Sequence, residues 1–170
     1  DIVDLLLTNG ADINVRDDKY RFTALIHAID LADFMPDYAE LGMVEFLLER
    51  GAERDVWACW WQGDKDAVKA LLDEDASLVN QIGPGRSTLL SFCATVESIQ
   101  FLLDYGANPF QTYQRGGWQG QVTPMRDLAY RGHYGGVRHL LDHLYMEIDI
   151  FYASIMGDLD TVQTLVKKDS

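Results

Sequence analysis

Hydrophobic positions along the chain fall into a repeating block. Leucine pairs stand at Leu6-Leu7, Leu47-Leu48, Leu71-Leu72, Leu102-Leu103 and Leu140-Leu141, with Leu165-Val166 as a sixth, about 32 residues apart on average. Each pair sits in a stretch with helical spacing of apolar residues. Three are followed by Gly-Ala, in "LLLTNGADIN" (5–14), "LLERGAERD" (47–55) and "LLDYGANPF" (102–110). A glycine just past an apolar helix takes the left-handed conformation that stops it. Upstream of three pairs runs a Thr-initiated segment: "TALIHAI" from Thr23, "TLLSFCA" from Thr88 and "TPMRDLAYRGH" from Thr123. Threonine is an acceptable N-cap, and Pro124 fills a first helical position, where its missing N–H costs nothing. The unit therefore predicts a Thr-capped helix, a short turn, a Leu-rich helix, a Gly-Ala stop and an extended finger loop.

This block resembles the ankyrin repeat, whose pattern is Thr-Pro-Leu-His-x-Ala, a Gly-His turn, Val-x-x-Leu-Leu and Gly-Ala-Asp. "TPMRDLAYRGHYGGVRHLL" carries Thr123-Pro124, Ala129, Gly132-His133, Val137 and Leu140-Leu141 in that order. The resemblance implies an all-α solenoid of stacked helix-turn-helix units. About five to six repeats are expected, the terminal ones incomplete, in a single domain 1–170. The units fall near 1–18, 19–54, 55–82, 83–114, 115–148 and 149–170. Residue 1 falls inside a second helix and Ser170 closely follows another, so the pattern reads as part of a longer array, or as one whose upstream helix is absent from this sequence.

Several departures from the repeat stand out. Ile26 occupies the family's histidine slot, and His27 lies one place beyond it. The second unit carries extra residues around "DLADFMPDYAE" (30–40), expected as a longer inter-helix loop broken at Pro36. Two units lack the finger, "RDVWACWWQGD" and "EIDIFYASIMGD". They copy each other at a separation of 94, pairing Asp55 with Asp149, Trp57 with Phe151 and Gly63 with Gly157.

The net charge of −13 disfavours nucleic acid and anionic membrane surfaces and suits a protein partner with a basic or neutral surface. No apolar run reaches the roughly 18 residues of a spanning helix. Two cysteines, Cys59 and Cys93, are too few for a disulfide framework, which suggests reduced thiols and a cytoplasmic setting.

Candidate chemistry is sparse. "HLLDH" (139–143) sets two histidines at i, i+4, without the glutamate or third ligand of a zinc motif. "IGPGRST" (82–88) is glycine-rich but lacks the Gly-Lys-Ser/Thr signature, and reads as a finger turn. Trp57, Trp60 and Trp61 lie on one helical face. Trp57 reads as core, while Trp61 falls on the side that lines the concave surface in the resembled family. The fingers offer more: Tyr20 and Arg21 in "VRDDKYRF" (15–22), and Tyr113, Arg115 and Trp118 in "QTYQRGGWQGQ" (111–121). Tyr, Trp and Arg are enriched in interface hot spots. Trp118 has two readings, a partner contact or a ring folded back on its own repeat.

The resemblance implies a protein-protein interaction module with no catalysis, no cofactor and no metal, whose partner-binding residues are Tyr20, Arg21, Trp61, Tyr113, Arg115 and Trp118. The alternatives are an intramolecular regulatory or spacer arm of a larger protein, and a small-molecule or metal binder built on the Trp and His residues.

Overall fold

The computed structural model describes residues 2–35, 37, 41–114 and 121–168. It is mostly helical, with one two-stranded sheet. The α-helices among the described residues are α1 (Ile2–Thr8), α2 (Ala24–Phe34), α3 (Met43–Leu48), α4 (Val56–Trp61), α5 (Lys65–Glu74) and α6 (Val96–Asp104). After the strands β1 (Tyr113–Gln114) and β2 (Gln121–Val122) come α7 (Pro124–Tyr130), α8 (Tyr134–His143), α9 (Ile150–Ile155) and α10 (Leu159–Lys168). Contacts divide the chain into two compact units. One is Asp1–Leu78 with Ile82–Arg86, and the other is Val79–Gln81 with Ser87–Ser170.

The caps follow the sequence. Thr23 and Thr123 accept the N–H of Ile26 and Arg126 at the starts of α2 and α7. Asp55 and Asp149, which open the two finger-less segments, cap α4 and α9 in the same way. Such caps contribute typically about 1 kcal/mol each. Helix ends repeat one hydrogen-bond pattern. At α3, Ala52 N–H reaches the Leu47 carbonyl (3.0 Å) and Gly51 N–H the Leu48 carbonyl (3.1 Å). These are the 6→1 and 5→2 bonds of a Schellman stop, with Gly51 at φ 89°. The same pair of bonds closes α1 at Gly10 and Ala11, and α6 at Gly106 and Ala107. It also turns α4 into α5 at Gly63, α7 into α8 at Gly132 and α9 into α10 at Gly157.

A second recurring device is an asparagine bridge. The Asn14 amide donates to the Gly51 carbonyl (3.4 Å) and accepts from Glu53 N–H (2.8 Å). In the other unit, Asn80 does the same with Gly106 (2.9 Å) and Asn108 (2.7 Å). One side chain thus satisfies a carbonyl left over at a helix stop and fixes the next extended segment beside its own.

Packing pairs like with like. In the first unit α2 packs on α3 and on α4, and α4 packs on α5. In the second, α7 packs on α8 and on α9, α6 on α8, and α9 on α10. The cores are the leucine-pair and first-helix positions: Leu25, Ile26, Trp57 and Leu72 in one unit, Leu89, Leu102, Leu128 and Leu140 in the other, all at most 1% exposed. Ile26 fills the slot where the resembled family carries histidine, and it is wholly buried. Trp57 is core, as its pairing with an aromatic suggested. A Cβ added to Gly83 would lie 2.1 Å from the Trp57 indole, so the backbone of 82–86 closes directly over the ring.

Two expectations are corrected. Thr88–Ala94 is not an α-helix; it forms a single 3-10 turn, Leu89–Phe92, and Thr88 makes no side-chain cap bond. The next N-cap, Thr95, follows seven positions after Thr88, against ten from Thr123 to His133. No glycine stands between them to take the left-handed turn, so a full helix does not fit. The long loop of the second unit also begins later than expected. Asp30–Phe34 prolongs α2 to eleven residues, and the helix stops at extended Met35, the residue before Pro36, where proline disfavours helical geometry. Pro36 itself lies outside the described residues.

Candidate functional site

The finger before α2 is tied together by one carboxylate. Asp17 accepts N–H groups from Lys19 (2.8 Å), Tyr20 (2.6 Å) and Phe22 (2.8 Å), and its own N–H reaches the Phe22 carbonyl (2.9 Å). The Tyr20 N–H bond, followed by those of Phe22 and Lys19 and by the nearby His27, holds the Asp17 carboxyl below its ordinary value of 3.8 against the opposing effect of desolvation. Arg16 links this finger to α4, donating to the Arg21 carbonyl (2.8 Å) and pairing with the Asp55 carboxylate that caps that helix. The "IGPGRST" segment supports the finger from beneath. Gly85 N–H bonds the Tyr20 carbonyl (2.8 Å), and the Arg86 guanidinium reaches the carbonyls of Asp18 (2.7 Å) and Lys19 (3.3 Å). Within this segment Pro84–Arg86 forms a 3-10 turn.

On this base the rings gather. Phe22 lies 6.2 Å from Tyr20, 5.6 Å from His27 and 5.6 Å from Trp61, the last edge-on at 81°. Tyr20 is 46% exposed, with the Lys19 ammonium 4.6 Å above its ring. Arg21 is exposed and adopts φ 64°, a left-handed geometry that costs a non-glycine residue roughly 1–2 kcal/mol. Its guanidinium has no partner among the described residues. The fold therefore brings Tyr20 and Trp61 together through Phe22, while Arg21 is exposed between Tyr20 and Phe22 along the chain.

Phe22 and His27 belong to this group too, although the fingers and the tryptophans drew attention elsewhere. The signal was present in the sequence. Phe22 precedes the N-cap Thr23, and His27 is the fourth helical residue, the two positions that meet in a hydrophobic staple.

The second finger turns out differently. Tyr113, expected on an exposed loop, is 5% exposed. Its hydroxyl lies 2.6 Å from Ser91 Oγ and donates to the Asp127 carboxylate (3.1 Å), which is wholly buried. Burial pushes the Tyr113 phenol up to about 12. A buried carboxylate needs such donors, so Tyr113 anchors the short β1–β2 pairing to α7. Arg115 and Trp118 lie outside the described residues.

Other candidates have structural explanations. Cys59 and Cys93 are buried, and burial alone pushes the Cys93 thiol up to about 12, far from a reactive thiolate. His139 bonds the Gln100 side chain at 2.8 Å, with the His143 ring 6.4 Å away. Among the described residues no group of three or more His, Cys, Asp or Glu side chains is placed to hold a metal ion. No helix among them is long and apolar enough to cross a membrane.

No family model matches the chain, and neither does any curated protein. Among solved structures it is similar, at 19% identity and a TM-score of 0.44, to a chain in the complex of a predatory endopeptidase from Bdellovibrio bacteriovorus with an immunity protein. The likeness spans 83% of this chain and 90% of that one. At that score it carries no argument, and the site stands on its own residues.

Proposed function

We propose that the chain is an ankyrin-type repeat module that binds a partner protein through the first finger and the adjoining α2–α4 face, and that it catalyses no reaction. The ring group of Tyr20, Phe22, His27 and Trp61, braced by Asp17 and Arg16, is the observation that carries this reading. Rigid, half-exposed aromatics beside an uncommitted arginine are what interface hot spots are made of. The repeat reading draws support from the recurring helix stops, the Thr and Asp caps and the two asparagine bridges. By residue type, Arg115 and Trp118 in the second finger belong to the same interface. The setting that fits two reduced, buried thiols is the cytoplasm.

The test is selection of a random-peptide display library on the immobilised chain, with the enriched peptides remade with a fluorophore and titrated by anisotropy. Tyr20→Ala and Trp61→Ala are each expected to weaken binding about tenfold or more. Peptides that bind both variants as well as the parent chain would overturn the assignment.

A further inference from the structure

Helix α2 borders two depressions of different chemistry. The first, of about 480 Å³, lies against the finger and is walled largely by Val15, Tyr20, Phe22 and His27. The second, of about 270 Å³, lies farther along α2, between it, α3 and Trp61. Ala28, Ile29, Ala32 and Val44 form apolar wall, Trp61 contributes its indole, and Asp33 and Glu45 supply carboxylates. Among the described residues no lysine, arginine or histidine lines it. Both carboxylates belong to exposed residues, and neither takes part in an ion pair or side-chain hydrogen bond among the described residues.

We infer that this second cavity receives the side chain of an arginine from the partner, which rests on the docking role proposed above. The cavity asks for a long apolar stem ending in a cation. Small residues at Ala28 and Ala32 leave room for the stem, as methylene chains of basic residues lie along apolar surface while their heads stay polar. A guanidinium stacks on aromatic rings and fits carboxylates with a planar fork, both of which this lining offers. An ammonium is more strongly hydrated and gains less from the ring. An aliphatic occupant would desolvate Asp33 and Glu45 with nothing in return, and an acidic one would be repelled. The net charge of −13 steers a cationic segment toward the chain before contact. Trp61, which the ring group shares with this cavity, joins the two depressions into one surface, so that an apolar residue on the finger side and an arginine on the other can be read by one segment.

The display selection tests this. The enriched peptides are expected to share an arginine, and replacing it with citrulline, its neutral isostere, should weaken binding to the parent chain about tenfold. The double variant Asp33→Asn, Glu45→Gln alters only exposed side chains, and its folding is checked by circular dichroism. It should bind the arginine peptide about tenfold more weakly and respond little to the citrulline swap. Peptides that need Tyr20 yet ignore the citrulline swap, or that bind the double variant like the parent, would overturn the arginine assignment and leave the docking role standing. An absence of any peptide dependent on Tyr20 or Trp61 would remove both.

Discussion

Tyr145 does the work of a glycine. At the end of α8 its N–H bonds the Asp142 carbonyl (3.2 Å) and Met146 N–H bonds that of Leu141 (2.9 Å), the same Schellman pair that glycine closes at α1, α3 and α6. Tyr145 sits at φ 53°, and its side chain is 98% exposed. The left-handed geometry costs an L-residue roughly 1–2 kcal/mol. The exposed ring offers no burial to offset it. Tyr145→Gly keeps both N–H donors, relieves the backbone, and loses roughly 0.4–1 kcal/mol through the freer unfolded chain. The net expectation is a gain of about 0.5–1 kcal/mol, or roughly 1–4 °C in Tm for a chain of this size. Gly106→Ala supplies the opposite experiment at an equivalent stop. Its φ is 83° and an added Cβ meets nothing within 4 Å, so the change isolates backbone strain and should destabilise by about 1 kcal/mol. Urea titration followed by far-UV circular dichroism measures both. A Tyr145→Gly chain no more stable than the parent, beside a destabilised Gly106→Ala chain, would refute the reasoning, because it would mean the Tyr145 ring contributes something its exposure denies.

Two further outcomes follow from the first unit. Gly83→Ala places a methyl 2.1–2.5 Å from atoms of the fully buried Trp57 ring, so the ring or the 82–86 backbone must move; a loss of about 1–3 kcal/mol is expected, with a changed tryptophan emission, and a neutral result would show that the segment yields freely. The Asp17 carboxyl, held low chiefly by the Tyr20 N–H and then by those of Phe22 and Lys19, contributes stability that is present above its ordinary value of 3.8 and is lost as pH falls through its lower folded value. In an acid titration followed by NMR, the Lys19, Tyr20 and Phe22 amides should shift together at a midpoint below 3.8, and Asp17→Asn should abolish that step; a midpoint above 3.8 would count against the finger geometry.

Much of this architecture is written locally. Thr23, Thr123, Asp55 and Asp149 cap helices because a short polar side chain can reach the N–H groups two or three residues on. Gly10, Gly51 and Gly106 stop helices because they lack a Cβ. Both effects act within a few residues, so the helix pairs could be marked from sequence, as could the burial of Trp57 from its aromatic counterpart. Phe22 and His27 were marked just as locally, by their staple positions, yet what made them part of a site was Trp61, brought from 39 residues farther on.

What only the tertiary structure decided depends on distant partners. Residue type favoured contact for Tyr113, a tyrosine in a glycine-rich finger, but its hydroxyl has a buried acceptor in Asp127 and a neighbour in Ser91. Satisfying a buried carboxylate outweighs exposure. Thr88 carries the same N-terminal signal as Thr23, yet a missing glycine and a shorter reach to Thr95 leave room only for a 3-10 turn. The second cavity joins Asp33, Glu45 and Trp61 from three helices, and no window of sequence contains them together. Caps and stops are settled by neighbours along the chain, whereas burial and the grouping of charges are settled by neighbours across it.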